Sequence, residues 1–164
     1  MRRMILFALL FYLTIACSSN PTKVFESNSP LDPDNEPDAM SYEEMLARYG
    51  ELDTPSQTYR IGAVLKFFGN QYWQLLAQGI HARADSLQVV TDVRAAATEL
   101  DPQGQLQIME DMVNLGYDAL IISPQMDDNL TIAVEQAREA GIVIVVVNEV
   151  VQDAQHWVGP NQYQ

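Results

Sequence analysis

The chain has 164 residues, 48% of them hydrophobic and 9% aromatic, enough for about one packed domain. Its formal charge, 9 minus 22 or −13, argues against nucleic acid and anionic lipid surfaces as partners, since both need a basic face. The single cysteine, Cys17, excludes an internal disulfide, and with only His81 and His156 to join it a zinc site has no ligand set.

Residues 1–17, "MRRMILFALLFYLTIAC", place Arg2 and Arg3 before an apolar run from Met4 to Ile15. The run falls short of the ~20 residues of a membrane span and fits the h-region of a secretory signal. The tail "LTIAC" resembles a bacterial lipobox, in which the cysteine is lipidated and becomes the mature N-terminus. Ala16 suits that pattern, and Thr14 stands where leucine is usual. An uncleaved anchor and an ordinary signal cleaved nearby are the other two readings. The lone Cys17 at this position favours a lipid tether to the membrane without a spanning helix.

Residues 18–57 read as a disordered linker. "SNSPLDPDNEPDAM" is rich in Pro, Asp and Asn and has almost nothing to bury. Within it, Ser41 to Gly50 is expected to form a short helix. Ser41 and Glu44 make a capping-box pattern, and Gly50 is the stop.

From residue 58 to the end the texture is alternating strand and helix. "YRIGAVL" is the first strand. A helix from about Gln71 to Ser86 spaces Trp73, Leu76, Ala77, Ile80, Ala84 and Leu87 at 3–4 residues, a stripe facing the sheet. "QVVTDV" is the second strand. Asp101 and Pro102 open a second helix, with Leu106, Met109, Met112 and Val113 inward and Gly116 ending it. "DALIIS" is the third strand. Asp127 or Asp128 is expected to cap a third helix carrying Leu130, Val134 and Ala137, closed by Gly141. "IVIVVVN" is the fourth strand, apolar on both faces like a buried parallel strand. A last short strand is expected near Trp157 and Val158. Short strand–helix connections predict an α/β fold, a three-layer, doubly wound parallel sheet with right-handed crossovers.

Ligands of such sheets bind outside the strand carboxyl ends. Here those ends are Lys66 to Asn70, Arg94 to Ala97, Ser123 to Gln125, and Asn148 with Glu149. Together with Phe67, Phe68, Tyr72 and Trp73 they offer aromatic faces, amides, a hydroxyl and charges, a mixture suited to a neutral polyhydroxylated ligand. Each residue also has a plain structural reading. Trp73 lies on the inward helical stripe, Lys66 can snorkel at a strand end, and Asn70 can be only an N-cap. Asn148, ending a buried strand, needs a partner, and a ligand is one candidate. No G-x-S-x-G elbow, P-loop or dinucleotide fingerprint is present; "KFFGNQ" has one glycine, and Ser123 is followed by Pro124. The chain therefore reads as a non-enzyme with no cofactor and no metal.

The segments "IGAVLKFFGNQYWQLLAQGI", "GQLQIMEDMVNLGYDALIISP", "AVEQAREAGIVIVVVNE" and "WVGPNQY" resemble, in order and spacing, the type I periplasmic sugar-binding proteins of ABC transporters. That family includes the ribose-, galactose- and allose-binding receptors and is akin to the ligand domains of LacI-type repressors. The resemblance implies a periplasmic binding protein-like fold of two α/β lobes that close on a sugar and then dock on a membrane permease. It implies that Lys66, Asn70, Tyr72 and Trp73 are first-lobe sugar contacts. Asn148 stands where the family usually has an aspartate, Gln71 where it has proline, and Glu149 where ribose-type receptors have arginine.

The family's second lobe, and the strands that complete the first, are expected after "VGPNQYQ", so the chain reads as a first lobe, incomplete. A lone lobe would expose a sheet edge and bind sugar weakly. The expected function is the solute-binding component of a carbohydrate ABC import system, exported to the periplasm or cell envelope and lipid-anchored. Its partners would be a sugar or polyol and the permease subunits. The alternative is a periplasmic sensor of the same fold signalling to a sensor kinase. An export signal and the lack of a helix-turn-helix disfavour a repressor.

Overall fold

The computed structural model describes residues 39–126, 128–149, 151, 154 and 156–159. The expectations for residues 1–17, including lipidation at Cys17, lie outside the described residues, as does Asp127.

Helix α1 (Tyr42–Tyr49) forms as its cap pattern predicts. Ser41 Oγ accepts the Glu44 N–H at 3.1 Å, and the Glu44 carboxylate accepts the Ser41 N–H at 2.8 Å. There follow β1 (Arg60–Phe67), α2 (Gln71–Leu87), β2 (Val90–Ala96), α3 (Pro102–Asn114), β3 (Ala119–Ile122), α4 (Thr131–Glu139), β4 (Val143–Val147) and β5 (His156–Val158). The strands make one sheet in the order β2-β1-β3-β4-β5, every pair parallel. The short strand expected near Trp157 is β5.

The alternation of β1 sorts its side chains onto two faces. Val64 joins Leu120, Ile122, Ile144 and Val146 under α3 and α4, with Met109, Met112, Val134 and Ala137 closing the main core. Leu65 packs on the other face with Trp73 and Ala77 of α2. Helix, sheet and helix make the three layers. Gly62 leaves room for its neighbours in the core, since a Cβ there would lie 2.6 Å from Leu120 Cδ2 and 2.7 Å from Met112 Sδ.

Three expectations need correction. The second strand begins at Val90, not Gln88, because Gln88 adopts the left-handed conformation (φ 57°) that ends α2, its N–H bonding to the carbonyls of Ala84 and Asp85. Strand β2 instead runs on to Ala96. Asp128 does not cap α4 through its side chain. The helix starts at Thr131 behind Leu130, whose side chain makes no capping bond, while the Asp128 carbonyl accepts the Thr131 N–H at 3.2 Å. Strand β4 is apolar on both faces yet covered on one: Ile144 and Val146 are buried, whereas Val143 is 42% exposed. The cause is the placement of α2, which packs on β1 and β2 and does not reach β4.

Candidate functional site

A β-bulge shapes the end of β1. Leu65 pairs with Ala95 and Phe67 with Ala96, leaving Lys66 as the extra residue, and such an insertion re-aims its side chain. The Lys66 ammonium lies 2.5 Å from Glu149 Oε1, beyond the end of β4. The other carboxylate oxygen, Oε2, accepts from the Ser123 hydroxyl at 2.9 Å, beyond the end of β3. Three strand ends are thus tied by one charge-assisted network. Lys66 Nζ also stands 5.8 Å from the centre of the Trp73 ring.

The aromatic pair enters from the start of α2. Asn70 is the N-cap, its Oδ1 accepting the Tyr72 N–H at 2.9 Å, so its oxygen is committed to the helix and its Nδ2 is left to donate outward. Tyr72 and Trp73 meet edge to face, ring centres 4.8 Å apart at 89°. Trp73 is 6% exposed and belongs to the core against Leu65, whereas Tyr72 is 46% exposed and reaches across the rim. The Tyr72 hydroxyl donates to Asn148 Oδ1 at 3.3 Å. Asn148 holds a left-handed backbone (φ 77°), which asparagine tolerates better than most residues, and its N–H bonds to the Val158 carbonyl of β5 at 3.0 Å. The structure therefore brings together all five sequence-predicted site residues: Lys66, Asn70, Tyr72, Trp73 and Asn148.

It does not bring Arg94 to them. Arg94 lies inside β2 and pairs with Asp92 at 2.6 Å, and Tyr117 donates to the same Asp92 oxygen at 2.9 Å. The hydrogen bond from Arg94, aided by Tyr117 and opposed by partial burial, holds the Asp92 carboxyl below its ordinary value. Arg60 stacks over Tyr117, 4.4 Å from the ring centre, so this cluster is a structural clasp near the amino end of β1.

Beneath the rim sits Gln105 of α3, fully buried. Its Nε2 donates to the carbonyls of Leu65 (3.0 Å) and Ser123 (2.8 Å), and its Oε1 accepts from Gln125 N–H and Asn129 Nδ2, both at 2.9 Å. Gln125 continues the tie, donating to the carbonyls of Lys66 (2.8 Å) and Thr98 (2.7 Å). These amides fix the ends of β1 and β3 at the height of the site. Sequence reasoning missed Gln105; the signal was a polar residue on the inward face of a helix at i−4 from Met109.

Among the described residues no group of three His, Cys, Asp or Glu is placed to hold a metal, and no helix is long and apolar enough to cross a membrane. The Lys66 ammonium and the Glu149 carboxylate are paired with each other, while Glu99, Asp101 and Asp128 stand in the loops beyond the strand carboxyl ends. Among the described residues, the rim offers the exposed rings of Phe68 and Tyr72 and a set of amide and hydroxyl groups.

Residues 61–164 match the periplasmic binding protein domain family. Among curated proteins, the chain is 36% identical over 86 residues to the D-allose-binding periplasmic protein of Escherichia coli, covering 52% of this chain and 28% of that protein. It is 32% identical over 100 residues to the D-ribose/D-allose-binding protein of Pseudomonas aeruginosa, covering 58% of this chain and 30% of that one. The chain thus spans less than a third of the length of these relatives. Its fold is similar to the periplasmic component of an ABC-type sugar transport system from Hahella chejuensis, with TM-score 0.59 and 30% identity over 63% of this chain and 39% of that one. On a match that runs over more than half of its length, the chain belongs to the periplasmic binding protein domain family.

Proposed function

We propose that this chain is the first lobe of the solute-binding component of a carbohydrate ABC importer, and that it holds a neutral sugar or polyol for delivery to a membrane permease. The observation that carries this reading is the pairing of Lys66 with Glu149 at the strand carboxyl ends, beside the exposed ring of Tyr72. A mutually paired ammonium and carboxylate among amides, hydroxyls and an aromatic face satisfy hydroxyl groups and stack on C–H faces. Glu149 sets the charge class, because a sugar acid or phosphate brought to Lys66 meets the carboxylate as well.

In this reading Lys66, Asn70 Nδ2 and Asn148 contact hydroxyls and Tyr72 stacks on the ring. Trp73 forms the floor beneath Lys66. No catalysis is assigned. The relatives are named for sugar binding, which supports the same class of ligand here. Residues 1–17 act as an export signal, Cys17 carries the lipid that tethers the protein in the cell envelope, and residues 18–57 act as the spacer. Residues 58–164 are the binding lobe.

Titration of the full chain with D-allose, D-ribose and a matched sugar acid, followed by calorimetry, tests the reading. Heats saturating for a neutral sugar in the millimolar range, absent for the acid and reduced about tenfold in affinity by Tyr72→Ala, are expected. Equal binding of the acid, or no binding of any neutral sugar, contradicts it.

A further inference from the structure

The bulge at the end of β1 changes the face to which Lys66 turns. In a regular strand the side chains of Leu65 and Lys66 point to opposite faces of the sheet. Here Leu65 packs with Trp73 on the α2 side, and the Lys66 ammonium stands over that same Trp73 ring, 5.8 Å from its centre. The pairing of Leu65 with Ala95 and of Phe67 with Ala96 leaves Lys66 without a place in the ladder. An insertion of this kind persists where its backbone groups find other partners.

Gln125 supplies one. Its Nε2 donates to the Lys66 carbonyl at 2.8 Å and to the Thr98 carbonyl at 2.7 Å. Its Oε1 accepts the N–H of Asp101, the N-cap of α3, at 3.0 Å. The backbone N–H of Gln125 is bonded in turn to Gln105 Oε1 at 2.9 Å. One side chain beyond the end of β3 therefore joins the bulge of β1, the loop after β2 and the start of α3. Both of its amide hydrogens are committed to backbone carbonyls, so the side chain has no N–H left to give a ligand. Gln105 reaches the Leu65 carbonyl, one residue before the bulge; Gln125 takes the carbonyl of Lys66 itself.

We propose that Gln125 is a positioning residue: through the Lys66 carbonyl it holds the β1 bulge, and so aims the Lys66 ammonium at Glu149 and the Trp73 ring. Without that donation the end of β1 relaxes toward a regular strand, in which Lys66 turns to the face away from Trp73. Glu149 then loses its cation, and the rim its ammonium. The geometric part rests on the fold alone, and the consequence for a ligand rests on the sugar-site reading.

The test compares the full chain with two variants. Gln125→Met is close in volume and lacks the amide; Gln125→Glu keeps an acceptor for the Asp101 N–H and gives up both donations. The first readout needs no ligand: nuclear Overhauser contacts between the Lys66 ε-methylene and the Trp73 ring. They are expected in the parent and in Gly62→Ala, a control that crowds the core around Leu120 and Met112. They should vanish in both Gln125 variants. The second readout is a double-mutant cycle, followed by amide-shift titration with D-allose. Gln125→Met and Lys66→Met should each weaken binding about tenfold, and the two together no more than either alone. Contacts absent from the parent, or retained in either Gln125 variant, overturn the proposal. So do their loss in Gly62→Ala, losses that multiply to about a hundredfold in the double variant, and failure of both Gln125 variants to melt cooperatively. Should no neutral sugar bind the parent, the sugar-site reading fails, and the ring contacts still decide the role of Gln125.

Discussion

Replacing Gln105 by leucine removes the amide that ties the ends of β1 and β3 together. Leucine is close to glutamine in volume, so the packing loss is small and the effect is that of hydrogen bonding. Four bonds disappear: two that the side chain donates, to the carbonyls of Leu65 and Ser123, and two that it accepts, from Gln125 N–H and Asn129 Nδ2. A buried polar group left without a partner costs about 1–3 kcal/mol. Asn129 and Gln125 lie nearer the surface and can turn to water, so the carbonyls of Leu65 and Ser123 dominate, for about 2–4 kcal/mol in all. A domain of this size is stable by only about 5–15 kcal/mol, and each kcal/mol moves its midpoint by about 4–8 °C. Thermal and urea unfolding of Gln105→Leu beside the unaltered chain should show a drop of about 10–20 °C with an unchanged urea slope. Sugar affinity should fall at temperatures where the variant is still folded, because the strand ends that carry Lys66 and Ser123 have lost their tie. A melting point within about 3 °C of the parent would refute the reasoning, since it would mean these carbonyls are satisfied without Gln105.

Other perturbations probe separate parts of the molecule. Gly62→Ala forces a methyl group against Leu120 and Met112 and should destabilise by about 1–3 kcal/mol in urea unfolding, whereas Gly79→Ala, where a Cβ meets nothing within 4 Å, should be neutral or stabilising. Tyr72→Phe removes the bond to Asn148 Oδ1 and keeps the ring, so calorimetry should show a smaller loss of sugar affinity than Tyr72→Ala, with no change in melting point. Asp92 is held below its ordinary value when folded, so its ionised form contributes stability that is present above the unfolded value of about 3.9 and is lost as pH falls through the folded one. Asp92→Asn should therefore lower stability at pH 7 and flatten the acid limb of the stability–pH curve below about pH 4.

The fold was legible because its signals are periodic. The i, i+3, i+4 stripe of α2, the unbroken apolar run of β4 and the Asp101–Pro102 helix start each follow from short-range rules, and the parallel sheet follows from their alternation. The misreadings came where a local choice had two solutions. "QVV" reads as strand by propensity, but Gln88 is needed to finish α2, so the ladder starts at Val90. The two aspartates before α4 look like caps, yet Leu130 takes that place as it turns inward to the core. In the candidate site, Lys66, Asn70, Tyr72 and Asn148 were singled out because strand ends and helix starts mark them, and the structure places them near one another. Their partners were not. Glu149 on Lys66 is a contact across 83 positions, and Gln105 under Ser123 depends on where α3 lies on the sheet. Trp73 shows the limit of residue type as a guide. It stands beside the candidate site, and the stripe that makes it look like core is the reason it is core.

We propose that a neutral sugar binds at the strand carboxyl ends. Amide chemical-shift mapping of the full chain against D-allose and D-ribose addresses it most directly. The predicted result is saturable shifts confined to Lys66–Trp73, Ser123, Gln125, Asn148 and Glu149. Shifts scattered over the surface and linear in sugar, or saturable shifts centred away from the strand ends, would contradict a sugar site there.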